Sequence, residues 1–233
     1  MARLTWDETG KRLYETGVER GVLYVQNDDG TYGKGVAWLG LTSVQETPDG
    51  AEANDMYADD IKYLSIRSAE TFGGTIEAYT YPDEWGECDG AAEAAKGVVI
   101  GQQPRKAFGL CYRTVLGNDV KQNAYGYKLH LVWNATASPS EKQYESINDS
   151  PDGINFSWEF TTNLVTLDGT DYKPTALITI DSTKVDADKL KKLEDMLYGT
   201  ESEEPKLPTP KEVIDMFKTG AASGGQTPGN PGN

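Results

Sequence analysis

The chain has 233 residues, of which 37% are hydrophobic, with 25 Gly, 13 Tyr against 5 Phe, and 5 Trp. Its formal charge of −15, from 37 acidic and 22 basic residues, argues against gripping nucleic acid through phosphates or adhering to an anionic membrane, since both need clustered Lys and Arg. The composition suits strands and turns better than a helical bundle, and the length is enough for one all-β unit with a full core.

Taken in order, residues 1–19 are polar and predict an irregular arm. A first strand is expected at Gly21–Gln26, followed by turn residues Asn27, Asp28, Asp29 and Gly30, which tolerate the positive φ of tight turns. The patterns VAWLGLTSV (Val36–Val44) and IKYLSIRS (Ile61–Ser68) predict two strands that pair across an acidic loop. Gly73 and Gly74 predict a bulge or corner before a strand at Thr75–Tyr81. Within Pro82–Lys96, Ala91 to Lys96 are good helix formers, while Gly86 and Gly90 keep any helix short. A helix here, laid over one face of the sheet, is expected.

Later strands are marked by period-two alternation, the signature of half-buried antiparallel pairing. Phe108, Leu110 and Tyr112 alternate with smaller or polar residues, and Asn118-Asp119 begins a turn. Tyr125, Tyr127, Leu129, Leu131 and Trp133 then share a face opposite Lys128, His130 and Asn134. Ile154, Phe156, Trp158 and Phe160 repeat the pattern, and Ala176–Ser182 closes the sheet. About eight strands result, the count of a sandwich or barrel. After Val185, Asp186 caps a helix ending at Gly199, and Glu201–Pro208 is an acidic linker. Thr209-Pro210-Lys211-Glu212 is then a capping box opening a second helix that stops at Gly220. The Gly/Pro-rich residues beyond are expected to form a flexible tail. The predicted organisation is a β-domain with an N-terminal arm (1–185), a helical extension (186–219) and a tail (220–233).

Signals for chemistry are sparse. The one histidine, His130, is expected as a surface residue without a partner. Cys88 and Cys111 fit no disulfide framework or metal spacing and read as reduced, buried, small apolar residues. No GxSxG, GxxxxGKT or HExxH pattern occurs. Trp133 and Trp158 lie on apolar strand faces, where core packing outweighs sugar stacking. No catalytic, cofactor or metal residues are assigned. The N-terminus has no apolar run, and no segment reaches membrane-spanning length, which together predict a soluble protein made in a cytoplasm.

Two features exceed what a plain β-domain needs: polar segments at both ends, and the connection Thr47–Asp60. That connection carries Asp49, Glu52, Asp55, Asp59 and Asp60 and no Lys or Arg. Long connections in compact domains generally serve a purpose, and an assembly contact is the expected one. Lys11, Arg12, Arg105 and Lys106 are the first candidates for its receiving surface.

The segments YETGVERGVLYV (Tyr14–Val25), GKGVAWLGLTSVQETPDGAEANDMYADDIKYL (Gly33–Leu64) and TIEAYTYPDEWGECDG (Thr75–Gly90) carry a resemblance. So do FGLCYRT (Phe108–Thr114), GYKLHLVWNATASPSEK (Gly126–Lys142), FSWEFTT (Phe156–Thr162), ALITIDS (Ala176–Ser182) and LPTPKEVIDMF (Leu207–Phe217). In this order they resemble the major tail proteins, or tail tube subunits, of long non-contractile-tailed (siphophage-type) bacteriophages, over nearly the whole chain except its last dozen or so residues. The resemblance implies a mainly β fold, a two-sheet sandwich or barrel with a flanking helix, here with a short helical C-terminal extension. It implies a structural virion protein, not an enzyme, that polymerises as stacked hexameric rings into the conduit for DNA ejection. Implied partners are further copies of itself and the tail terminator, distal tail and tape measure proteins, with DNA passing transiently without sticking; no cofactor or membrane is implied. The inter-ring loop falls on Gln45–Asp60, with Pro48, Asp49, Glu52, Asn54, Asp55, Met56, Tyr57, Asp59 and Asp60 as contact residues. Acids on exposed strand faces, Glu70, Glu77 and Glu159, are candidates for a lumen that repels phosphate. Two alternatives remain open at this point: a secretion-system tube protein of the same fold group and a carbohydrate-binding β-sandwich.

Overall fold

Alternating side chains set most of this chain into antiparallel strands. The computed structural model describes residues 4–50, 52–147, 149 and 152–218. It begins with β1 (Leu13–Val25), β2 (Val36–Trp38), β3 (Leu41–Glu46), β4 (Asp49–Gly50), β5 (Ala53–Ala58), β6 (Ile61–Arg67), β7 (Glu70–Thr71) and β8 (Gly73–Ala78). A one-turn helix α1 (Trp85–Cys88) leads to β9 (Ala92–Ala95), β10 (Val98–Ile100), β11 (Phe108–Asn118), β12 (Gln122–Ala137), β13 (Phe156–Thr162) and β14 (Leu177–Asp181). Helices α2 (Ala187–Tyr198) and α3 (Pro210–Phe217) follow. Eight strands form one sheet in the order β2-β1-β11-β12-β13-β8-β3, with β14 joined to β12 as a branch; β4–β7, β5–β6 and β9–β10 are two-stranded pairs. Among the described residues no helix is long and apolar enough to cross a membrane.

The sheet changes direction within β12. Residues Lys128–Val132 pair with β14, whereas Ala135–Ala137 pair with β13. Between them Asn134 adopts φ 53°, and the pairing with β11 slips between Leu110↔Val132 and Phe108↔Ala135. A bulge of this kind bends and twists a strand, so one long strand serves two parts of the sheet.

Cores form on both sides of β1, β11 and β12. On one side Leu23, Leu110, Tyr112 and Val132 pack with Ile76, Trp158 and Phe160 around a cluster of Trp38, Trp85 and Trp158. The ring centroids of that cluster lie 4.7–5.8 Å apart in tilted or edge-on geometry, the arrangement aromatic quadrupoles favour. On the other side Tyr24, Leu129, Leu131 and Trp133 meet Leu190, Leu193 and Leu197 of α2 and Val213 of α3. The helical extension therefore packs back onto the sheet. Tyr24 Oη donates to the Leu197 carbonyl at 2.6 Å and Trp133 Nε1 to the Pro208 carbonyl at 2.9 Å, satisfying polar atoms in a buried seam. Asp186 caps α2 by accepting from the backbone of Asp188 and Lys189, and both halves of the Thr209/Glu212 capping box form on α3. Both free cysteines are buried, and burial pushes their thiols up to about 12, so neither is a thiolate at neutral pH.

Several expectations need correction. The N-terminal arm is not irregular throughout, because β1 begins at Leu13 and pairs with β11 out to Asn118; backbone pairing there needs no apolar side chains. Val36–Val44 is two strands, broken where Gly40 takes φ 74°. Ala91–Lys96 does not form the flanking helix: β9 and β10 make a hairpin turning at Gly97 (φ 76°), since so short a run cannot sustain helix nucleation and Val98–Ile100 offers a β-branched partner. The short helix expected within Pro82–Lys96 is instead the one-turn α1, whose Trp85 and Cys88 pack into the sheet's core, while α2 and α3 pack on the other side. The expected stop at Gly220 and the expected tail lie outside the described residues.

Gly73 and Gly74 are not a corner either; they sit inside β8 and are buried. A Cβ on Gly74 would lie 2.2 Å from the Gln45 carbonyl oxygen and 2.9 Å from the Phe160 ring. Gly74→Ala should therefore destabilise the fold by about 1–3 kcal/mol, measured as a lower urea midpoint with an unchanged slope.

Candidate functional site

The acidic connection is the outer half of a long β-ribbon. β3 pairs with β8, β4 with β7 and β5 with β6, and one register runs without slip from Ser43↔Glu77 to Met56↔Leu64. Near the tip the pairing shifts, leaving Tyr63 as the extra residue before Tyr57↔Lys62 and Ala58↔Ile61. The turn is Asp59-Asp60, with φ 52° and 60°, the paired left-handed residues of a type I′ hairpin. The expected pairing of Val36–Val44 with Ile61–Ser68 is thus wrong: β3 pairs with β8, and β6 pairs with a strand drawn from the presumed loop. Asn54, Asp55, Met56 and Tyr57 lie in β5, Asp49 lies in β4, and Asp59 and Asp60 form the turn at the tip.

Every residue of β5 and β6 is exposed, yet the ribbon's two faces differ. Cross-strand partners share a face, so Asn54/Ile66, Met56/Leu64 and Ala58/Ile61 form a largely apolar side. Its Met56, Ile61, Leu64 and Ile66 are 47%, 64%, 38% and 54% exposed. The opposite face holds Asp55/Ser65, Tyr57/Lys62 and Ala53/Arg67, with Asp55 in an ion pair to Lys62 at 2.8 Å. Lys62 lowers the Asp55 pKa most, helped by Ser65. Nearer the base, Pro48 and Glu52 are exposed, and Asp49 folds its carboxylate onto the Gly50 N–H at 2.7 Å.

A polar cluster anchors the ribbon where it enters the sheet. Glu46, the last residue of β3, accepts from Tyr112 Oη at 2.6 Å and lies 3.0 Å from His130 Nδ1. The His130 ring stacks on Tyr112, with centroids 4.6 Å apart and planes at 4°. Its Nε2 is 3.0 Å from Thr114 Oγ1, and Thr114 donates to Glu15, which also pairs with Lys128. Thr179 Oγ1 also lies 3.4 Å from Nδ1. His130 is 7% exposed and is neither on the surface nor without a partner. The alternation placed it opposite the apolar residues of β12, but β3 lies over that face and buries it. His130 lowers the Glu46 carboxyl most, against the upward push of burial, with Tyr112 adding to the lowering. For Glu15 burial pushes upward, but Lys128 and Thr114 outweigh it and the carboxyl ends up lowered.

The three candidate lumen acids separate. Glu77 and Glu159 share the outward face of β8 and β13, opposite the core-facing Ile76 and Trp158, since Ser157 pairs with Glu77 and Glu159 with Thr75. Around them lie Ser43, Gln45, Thr75, Ser157 and Thr161, a face of hydroxyls, an amide and carboxylates without Lys or Arg; Ser43 donates to Glu77 at 2.9 Å. Glu70, exposed in β7, falls an odd number of positions from Glu77 and so on the opposite side of the ribbon. Among the basic residues proposed as receivers, Lys11 pairs with Glu8, Arg12 with Asp7, Arg105 with Asp89 and Lys106 with Glu87. Among the described residues no group of three or more His, Cys, Asp or Glu side chains is arranged to hold a metal ion.

A carboxylate whose pKa is lowered by folding contributes stability above its unfolded value and loses it as pH falls through the folded one. For Glu15 and Glu46 that loss should begin near the ordinary value of 4.5. Urea unfolding between about pH 5 and about pH 3 should show stability falling with acid, and Glu46→Gln should flatten part of the fall. His130→Ala should cost about 1–3 kcal/mol near neutrality by stranding the partly buried Glu46 and removing a stacked ring.

No family model matches the chain, and no curated protein matches it.

Proposed function

We propose that this chain is a structural subunit that polymerises with itself, the tail tube protein of a long non-contractile-tailed bacteriophage. The observation that carries the reading is the exposed ribbon Ala53–Arg67, whose apolar face of Met56, Ile61, Leu64 and Ile66 has no cover among the described residues. A contiguous exposed apolar face marks an interaction surface, and two-stranded ribbons are marginal in water without something to pack on. The tail tube resemblance supplies the setting, in which such an element bridges stacked rings and the bent sheet contributes to a barrel around a lumen.

The face of Glu77 and Glu159 supports the same reading. A wall of hydroxyls and carboxylates without cations offers phosphate no counter-ion to displace, so a duplex can pass without binding. Glu70 does not belong to that wall.

Electron microscopy of purified protein should show rings or tubes of constant width; a persistent monomer at high concentration would retire the proposal. Replacing Ala53–Arg67 with a short Gly/Ser turn should leave the fold intact by circular dichroism and thermal melting while abolishing long tubes. Glu159→Lys combined with Glu77→Lys should still assemble, yet retain duplex DNA in a salt-dependent manner in a filter-binding assay, where the parent tubes retain none.

A further inference from the structure

A groove of about 710 Å³ opens between β14 and α3. Leu167, Ile178, Val185, Val213, Ile214 and Phe217 line it, and three exposed cations, Lys173, Lys184 and Lys218, stand at its margin. Lys184 pairs with Asp181 at 3.0 Å and Lys218 with Asp215 at 2.8 Å, both partly in solvent; among the described residues Lys173 has no carboxylate partner. β14 has β12 on one side only, but its edge is blunted at the start, where the Thr175 hydroxyl donates to the Leu177 carbonyl and accepts from the Leu177 N–H. The groove therefore offers apolar side-chain burial rather than a long strand edge to extend.

The same chain carries the complementary surface. The apolar face of Met56, Ile61, Leu64 and Ile66 ends at a tip bearing Asp59 and Asp60. An apolar strip led by carboxylates matches an apolar trough edged by lysines in both chemistry and charge. We infer that the β14–α3 groove receives the Ala53–Arg67 ribbon of another copy of this chain. Ribbon and groove are different patches, so the contact is heterologous, the kind that propagates into rings or filaments instead of closing as a two-fold dimer. The inference rests on the reading of the ribbon as an assembly contact and adds where it lands.

Carbodiimide coupling of the unmodified, assembled protein tests it, using a mixture of isotopically light and heavy chains. Mass spectrometry should find Asp59 or Asp60 joined to Lys173, Lys184 or Lys218 in mixed light–heavy pairs. Tubes whose tip carboxylates couple only to other lysines, or only within one chain, would overturn the groove assignment and leave the tube reading standing. Protein that never assembles would overturn both. As an independent arm, Lys173→Glu with Lys184→Glu, both at exposed positions, should raise the concentration needed for assembly by about tenfold or more, and adding Asp59→Lys with Asp60→Lys in the same chain should restore it. Unchanged assembly in the lysine variant would count against the groove. Assembly of that variant rescued by truncation after Lys218 would instead identify the chain's own C-terminal residues as the occupant and overturn the inference.

Discussion

One strand register governs this molecule. From Ser43↔Glu77 outward to Met56↔Leu64 the two arms of the ribbon pair without a slip, and because side chains alternate with period two, this single choice sorts every residue along it. One side carries Val44 and Ile76 into the core and continues as Met56, Leu64 and Ile66 in solvent. The other side carries Ser43, Gln45, Thr75 and Glu77, then Asp55 and Ser65. The exposed apolar strip is thus the core face of the sheet prolonged beyond the core. A slip of one residue would bury Glu77 and expose Ile76, so the interior enforces the pattern that the exterior displays.

The anchorage follows from the same parity. Glu46 is on the core side at the point where the ribbon leaves the sheet, and there it meets Tyr112 and His130 rather than another hydrophobe. Tyr112 Oη and His130 Nδ1 both reach Oε1 of this partly buried carboxylate, and polar contacts of this kind offset its loss of water; the Thr114–Glu15–Lys128 chain holds the other side of the His130 ring. The cluster ties β1, β3, β11 and β12 together at the ribbon's root, giving a lever of exposed strands a rigid mounting. Packing of α2 and α3 on the opposite face leaves β1, β11 and β12 enclosed from both sides.

How far the residues alone reached depended on whether the signal was local. The strands at Phe156–Thr162 and Leu177–Asp181 were legible from alternation, and the Asp186 and Thr209 caps from residue type, because the physics of each acts within a few neighbours. The ribbon was half legible. Its acidity and length stood out, but Ala-Asn-Asp-Met-Tyr-Ala has weak strand propensity, and Asp59-Asp60 is not the Asp-Gly that announces a type I′ turn. Its apolar face is not legible because Ile61, Leu64 and Ile66 read as strand residues inside the sheet, a natural home for such side chains.

The sequence by itself determined the class: acidic, strand-rich, capped by two short helices near its end, and without a recognisable catalytic motif. Only the tertiary structure decided which strands meet, that the ribbon stands clear of the sheet, and that Glu77 and Glu159 share a wall from which Glu70 is absent. It also decided that His130 is enclosed by two carboxylates. The reason is that pairing partners here lie far apart in the chain, Glu46 and His130 among them, and the energy that selects them comes from burial and hydrogen bonds that exist only once the layers have closed.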